Sequence, residues 1–126
     1  MELLRLHINV KKTIELKSSD NTVRMVLFDG FCNSDIFKGK ILEGAVDTQI
    51  IGAEELLSAR YMLEGVDREG DSYRLYIENN TVHNGEGTKP VVYTDSSSLK
   101  WLETAKLKGE IIHNDDLEIV ICSEDV

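Results

Sequence analysis

The chain has 126 residues, 41% of them hydrophobic, with a net charge of −9 and a pI of about 4.7. That length suits one domain, residues 1–126, with a real core, and is too short for two ordinary domains. The acidic balance argues against a face for nucleic-acid phosphates or anionic lipid, and no run approaches the roughly 20 apolar residues of a membrane helix.

The dominant period is two. Leu4, Leu6, Ile8 and Val10 alternate with Arg5, His7, Asn9 and Lys11, and Ile14 and Leu16 follow, which predicts a first strand. Ser18 to Asn21 is a turn cluster. Val23, Met25 and Leu27 alternate again, while Val26 and Phe28 suggest a strand covered on both faces. Asp29-Gly30 signals a tight turn or bulge. A strand is predicted over Ile36 to Leu42, with Gly39 inside it and Gly44 just beyond, positions where a barrel wall can bend. Thr48 to Ile51 and Leu57 to Leu63 continue as strands around a turn at Gly52 to Glu55.

Asp67 to Asp71 reads as a polar loop, and Tyr73, Leu75 and Ile77 mark a half-buried strand. Turn chemistry runs from Asn79 to Pro90, the only proline. After a short strand at Val91 to Thr94, Ser96-Ser97-Ser98 is placed to cap one short helix over Leu99 to Ala105. Leu107 to His113 and Leu117 to Ser123 form a hairpin joined by Asn114-Asp115-Asp116. The sum is an all-β fold: an antiparallel, closed or nearly closed β-barrel of about eight to ten strands with one short helix. Closure removes sheet edges, and a barrel of about eight strands either packs its interior or holds one small ligand.

Several short motifs, in order, carry a resemblance. They are Phe37-Lys38-Gly39, Gly39-Lys40-Ile41-Leu42-Glu43-Gly44-Ala45-Val46-Asp47, Ser58-Ala59-Arg60-Tyr61, Tyr76-Ile77-Glu78-Asn79 and Trp101-Leu102. Together they resemble the signature of a bacterial and fungal family of small β-barrel proteins classed as a domain of unknown function. The likeness runs from about Val23 to the end of the chain. Ala45, Thr48 and Ser58 depart from the family pattern, which favours a glycine, an aromatic and an acid there. The resemblance implies a barrel and no settled activity.

Candidate chemistry centres on Asp47, Arg60, Tyr61 and Asn79, expected as a ligand-binding polar cluster in the lumen; Asp47 and Tyr61 are the catalytic candidates if there is a reaction. The plainer reading of the same residues is an interior salt bridge or a barrel-corner cap. Neighbouring residues in a strand face opposite ways, so Arg60 and Tyr61 cannot share the lumen without a bulge. His7, His83 and His113 lack metal-ligand spacing, so no metal site is expected. His83 to Glu86 and Gly85-Glu86-Gly87 read as plain loop, with neither metal nor phosphate geometry. No nucleophile elbow accompanies the serines. Cys32 and Cys122 are expected reduced and at least partly buried.

No pattern calls for a cofactor. The start of the chain lacks an apolar signal region, which predicts a cytoplasmic protein. The expected partner is a small apolar or amphipathic molecule, with no nucleic acid and no membrane, and the chain is compatible with a homodimer. The functional expectation is a small-molecule-binding barrel with a partly polar lumen. The alternatives are a cofactor-independent isomerase or cyclase using the same lumen, and an interaction barrel with a packed interior.

Overall fold

The two-residue period of the sequence becomes the wall of a barrel. The computed structural model describes residues 1–82, 87–113 and 116–124. Its strands are β1 (Glu2–Lys17), β2 (Thr22–Asn33), β3 (Phe37–Ile41), β4 (Val46–Ile51), β5 (Glu55–Asp67), β6 (Ser72–Thr81), β7 (Thr88–Thr94), β8 (Leu107–His113) and β9 (Leu117–Ser123). All pairings are antiparallel, and β1 pairs with both β2 and β9, which closes the sheet. β3 and β4 each pair with β2 on one side and β5 on the other, so they are two halves of one stave. The break between them holds Gly44 at φ 107°, a conformation that costs glycine little. The result is a closed up-and-down barrel of eight staves.

One face of each stave points inward. On β5 that face carries Leu57, Ala59, Tyr61 and Leu63; its inward partners include Asp47 on β4, and Asn79 and Ile77 on β6. The inward face of β2 carries Val26 and Phe28, so the alternating trio Val23, Met25 and Leu27 lies on the outer face. Gly39 and Gly65 stand opposite each other, and a Cβ on Gly39 would come within 2.8 Å of the Gly65 Cα. Glycine there permits a close approach of β3 and β5.

The barrel has a packed end and an open end. At the packed end Leu4, Leu6, Leu63, Leu75 and Ile121 are fully buried. The connection from β7 to β8 folds across this end, with Leu99 and Leu102 buried beneath it. The predicted helix over Leu99 to Ala105 contracts to a single 3-10 turn, Lys100–Glu103. Ser96 Oγ accepts the Leu99 N–H, and Asp67 Oδ2 accepts the Ser98 hydroxyl at 2.7 Å, so serines 96 and 98 tie down the plug and leave the turn without a side-chain cap. A helix has no room to propagate once Leu99 and Leu102 are committed to the core.

The expected turn over Asn79 to Pro90 is shorter than its composition suggests, because Asn79 to Thr81 complete β6 and Thr88 to Pro90 begin β7. Pro90 pairs with Asn79 on β6, while Thr88↔Gly109 is the one registered pair between β7 and β8 among the described residues. A residue without an N–H fits where the ladder to β8 has lapsed. The loop at His83 to Glu86 and the hairpin turn at Asn114 and Asp115 lie outside the described residues. No helix among the described residues is long and apolar enough to cross a membrane. Cys32 is buried, Cys122 is half-buried, and both are free thiols.

Candidate functional site: the open half of the lumen

Asp47, Ala59 and Asn79 form one cross-strand row on the inner face of β4, β5 and β6. Neighbouring strands lie about 4.8 Å apart, so the two polar groups flank Ala59 about 10 Å from each other. The small alanine side chain leaves a notch between them. Tyr61 sits one layer deeper on the same face of β5, its ring edge-on to Phe28 at 5.4 Å. These residues line a cavity of about 280 Å³ that opens at the end opposite the plug. Its walls are apolar, from Ile8, Val26, Leu57 and Ile119, and its mouth carries Gln49, Glu55 and His113. The interior is therefore packed in one half and hollow in the other.

Burial leaves several polar atoms unmatched. Asp47 Oδ1, the Tyr61 hydroxyl, Asn79 Oδ1, Thr88 Oγ1 and Ser58 Oγ are buried without a hydrogen-bond partner among the described residues. The first three belong to residues that line the cavity. Tyr61 is only 4% exposed and Asn79 only 2%. Buried polar groups are nearly always hydrogen-bonded, and an unpaired one costs about 1–3 kcal/mol.

The carboxylate of Asp47 is asymmetric. Gln49 Nε2 donates to Oδ2 at 2.9 Å, Arg24 Nη1 donates to Gln49 Oε1 at 3.4 Å, and Arg24 Nε donates to Glu15 Oε2 at 2.7 Å. This chain occupies one oxygen and leaves Oδ1 buried without a partner among the described residues. Burial pushes the Asp47 carboxyl above the usual carboxylate range, against a smaller opposing effect of the Gln49 hydrogen bond. Burial also pushes the Tyr61 phenol up, and Cys32 and Asp47 act in the same direction when ionised, so the phenol stays neutral at physiological pH. Burial likewise raises the Cys32 thiol, which makes a poor nucleophile of it.

Arg60 does not belong to this cluster. The structure has no bulge at Arg60 and Tyr61, so one faces in and the other out, as strand geometry requires. The Arg60 side chain is 64% exposed on the outer wall, where its Nε meets Glu78 Oε1 at 3.1 Å. The structure thus brings together Asp47, Tyr61 and Asn79 of the expected set and removes Arg60. Gln49, Ala59 and Arg24 were missed by sequence reasoning. Gln49 could have been found, because it stands two residues from Asp47 and so shares its face.

Acidic groups also gather at the packed end. Asp67, Glu69 and Asp71 offer oxygens within 4.8 Å of one another. Asp67 is already occupied: Oδ1 accepts the N–H groups of Glu69 and Asp71, and Oδ2 accepts Ser98. The Ser98 hydroxyl above all, helped by the backbone N–H groups, holds the Asp67 carboxyl below its usual range. This carboxylate organises a loop.

The same barrel occurs in solved structures of low sequence identity. A protein with unknown function from Clostridium acetobutylicum is 23% identical, with a TM-score of 0.78, covering 96% of this chain and 95% of that one. A conserved protein of unknown function from Rhodopseudomonas palustris is 17% identical, with a TM-score of 0.72 and coverage of 95% and 93%. An enzyme from Penicillium herquei is 12% identical, with a TM-score of 0.71 and coverage of 97% and 92%. No protein-family model matches the chain, and no curated protein matches it. At these identities the likeness establishes the fold alone.

Proposed function

We propose that the protein is a cytoplasmic small-molecule-binding barrel whose ligand enters the open half of the lumen, and that it belongs to the family of small β-barrel proteins that its motifs resemble. One observation carries the reading: Asp47, Tyr61 and Asn79, each with a buried oxygen that has no hydrogen-bond partner among the described residues, line a largely apolar cavity of about 280 Å³. Few convergent polar groups in an apolar pocket are what orient a ligand, and the volume lies just below the usual range of ligand sites, roughly 300–1,000 Å³, which suits a small guest.

A second reading is supported by the state of Asp47. A carboxyl with a raised pKa and a free oxygen, one layer above a neutral phenol, suits proton transfer without a cofactor. In an isomerase or cyclase built on this lumen, Asp47 would move the proton and Tyr61 would stabilise developing negative charge. The enzyme from Penicillium herquei has the same barrel, which makes this reading worth testing.

Native mass spectrometry of protein purified from cells under non-denaturing conditions tests binding. The expected result is a small-molecule mass retained by the wild type and lost from Ala59→Phe, whose ring would fill the notch. Identical spectra for the two proteins, with no lumen resonance moved by a small-molecule library, would overturn the proposal.

A further inference from the structure

The cavity is charged on one side only. Asp47 lies in its wall and Glu55 at its mouth, and no lysine or arginine side chain is among the described residues that line it. The nearest guanidinium, Arg24, reaches Asp47 only through Gln49 and is itself paired with Glu15. Arg60, on β5, is outside the wall against Glu78. The buried oxygens without a partner are Asp47 Oδ1 and Asn79 Oδ1, which accept only, and the Tyr61 hydroxyl, which can accept or donate. An anion brought here would meet a carboxylate and no counter-charge. A donor placed at Asp47 would meet an oxygen that the fold leaves unmatched.

We infer that the ligand of this lumen is a cationic amine with a compact apolar body, its ammonium on the Asp47 carboxylate and its hydrocarbon against Ile8, Val26 and Ile119. The inference rests on the lumen being the binding site, as proposed above. An ammonium offers up to three donors and a charge opposite to that of Asp47, and charge-assisted hydrogen bonds are roughly twice as strong as neutral ones. The Phe28 and Tyr61 rings add aromatic surface beside the cation's apolar portion. The net charge of −9 would also draw cations toward the mouth.

The test uses three matched sets of probes, each set sharing one carbon skeleton: phenethylamine, phenethyl alcohol and phenylacetate; tryptamine, tryptophol and indole-3-acetate; octylamine, octanol and octanoate. Affinities are read by titration, and position by NMR shifts of the Tyr61 and Asn79 side chains. Within at least one set the amine should bind the full-length protein about tenfold more tightly than its alcohol, and the carboxylate should bind least. Asp47→Asn should bring the amine down to its alcohol's affinity and leave the alcohol unchanged. Alcohols that shift Tyr61 and Asn79 as strongly as the amines, or carboxylates that bind best, would overturn the amine assignment and keep the lumen as a site. Probes that move no lumen resonance in any set would overturn both.

Discussion

Gln49 holds Asp47 by one oxygen, donating to Oδ2 at 2.9 Å from two residues along the same face of β4, while Oδ1 is buried with no hydrogen-bond partner among the described residues. The carboxylate is thus oriented without being neutralised, because the cation at the end of the chain, Arg24, touches Gln49 and not Asp47. Placing it there costs the fold. A carboxyl whose pKa is raised by folding binds its proton more tightly in the folded state. Its ionisation therefore destabilises the fold as pH rises from the unfolded value, near 3.9, through the folded one. Asp47→Asn should raise the melting temperature at pH 7 by a few degrees, corresponding to about 1 kcal/mol once partial solvation is allowed for. The gain should vanish near pH 3. A variant less stable than wild type at pH 7 would contradict this, and thermal scans at the two pH values decide it.

The same titration governs binding of an amine. Affinity for tryptamine should rise with pH through the Asp47 pKa and then level, while affinity for tryptophol stays flat. Glu55 and Tyr61 on β5, Arg24 on β2 acting through Gln49, and His113 on β8 are the other titratable or charged groups around the carboxyl. Asp47→Asn should flatten the lower part of the curve. Titration calorimetry from pH 4 to pH 8 reads the result.

Much of this was legible in the chain, and the limit has a physical shape. Period two reveals that a strand has two faces and does not say which is inside. On β2 the trio Val23, Met25 and Leu27 looked as fit for a core as Val26 and Phe28, and only the register with β4 turns the latter inward. For Arg60 and Tyr61 the opposition of faces was readable, and the choice between them was not. The plug was hardest, because serines before a short apolar run suit a helix cap and a tied-down loop equally. Ala59 gave no signal at all, since its role is the space it leaves between two partners brought together by register.

Arg60→Ala is the matched control for the lumen variants. Its ion pair with Glu78 is exposed and should contribute less than about 1 kcal/mol. Stability and probe affinity should both stay close to wild type. A marked loss of affinity would return Arg60 to the site.

The seam between β7 and β8 depends on one small residue. A Cβ on Gly109 would come within 3.2 Å of the Asn79 amide and run into Thr88 Oγ1. Gly109→Ala should cost about 1–3 kcal/mol, as overpacking does, and the double variant with Thr88→Gly should recover part of it. Additive losses in denaturant titrations would show that the two sites do not touch.

The plug should matter in a different way. Leu102 is 1% exposed, and Leu102→Ala should cost about 2–4 kcal/mol without altering which probes bind. Asp67→Asn should lower the melting temperature at pH 7, and the loss should shrink as pH falls. A carboxyl with a depressed folded pKa stabilises above its unfolded value, near 3.9, and ceases to do so as it protonates through the folded one.

A barrel that is solid at one end and hollow at the other separates what evolution can alter from what it must keep. Leu6, Leu63, Leu75 and Ile121 secure the closed half, while residues 47, 59, 61 and 79 sit in or beside the hollow one. Substitutions at the hollow end change shape and charge in space that packing has not claimed. Such a scaffold can be reprogrammed for a new guest from its mouth, with the packed core left in place.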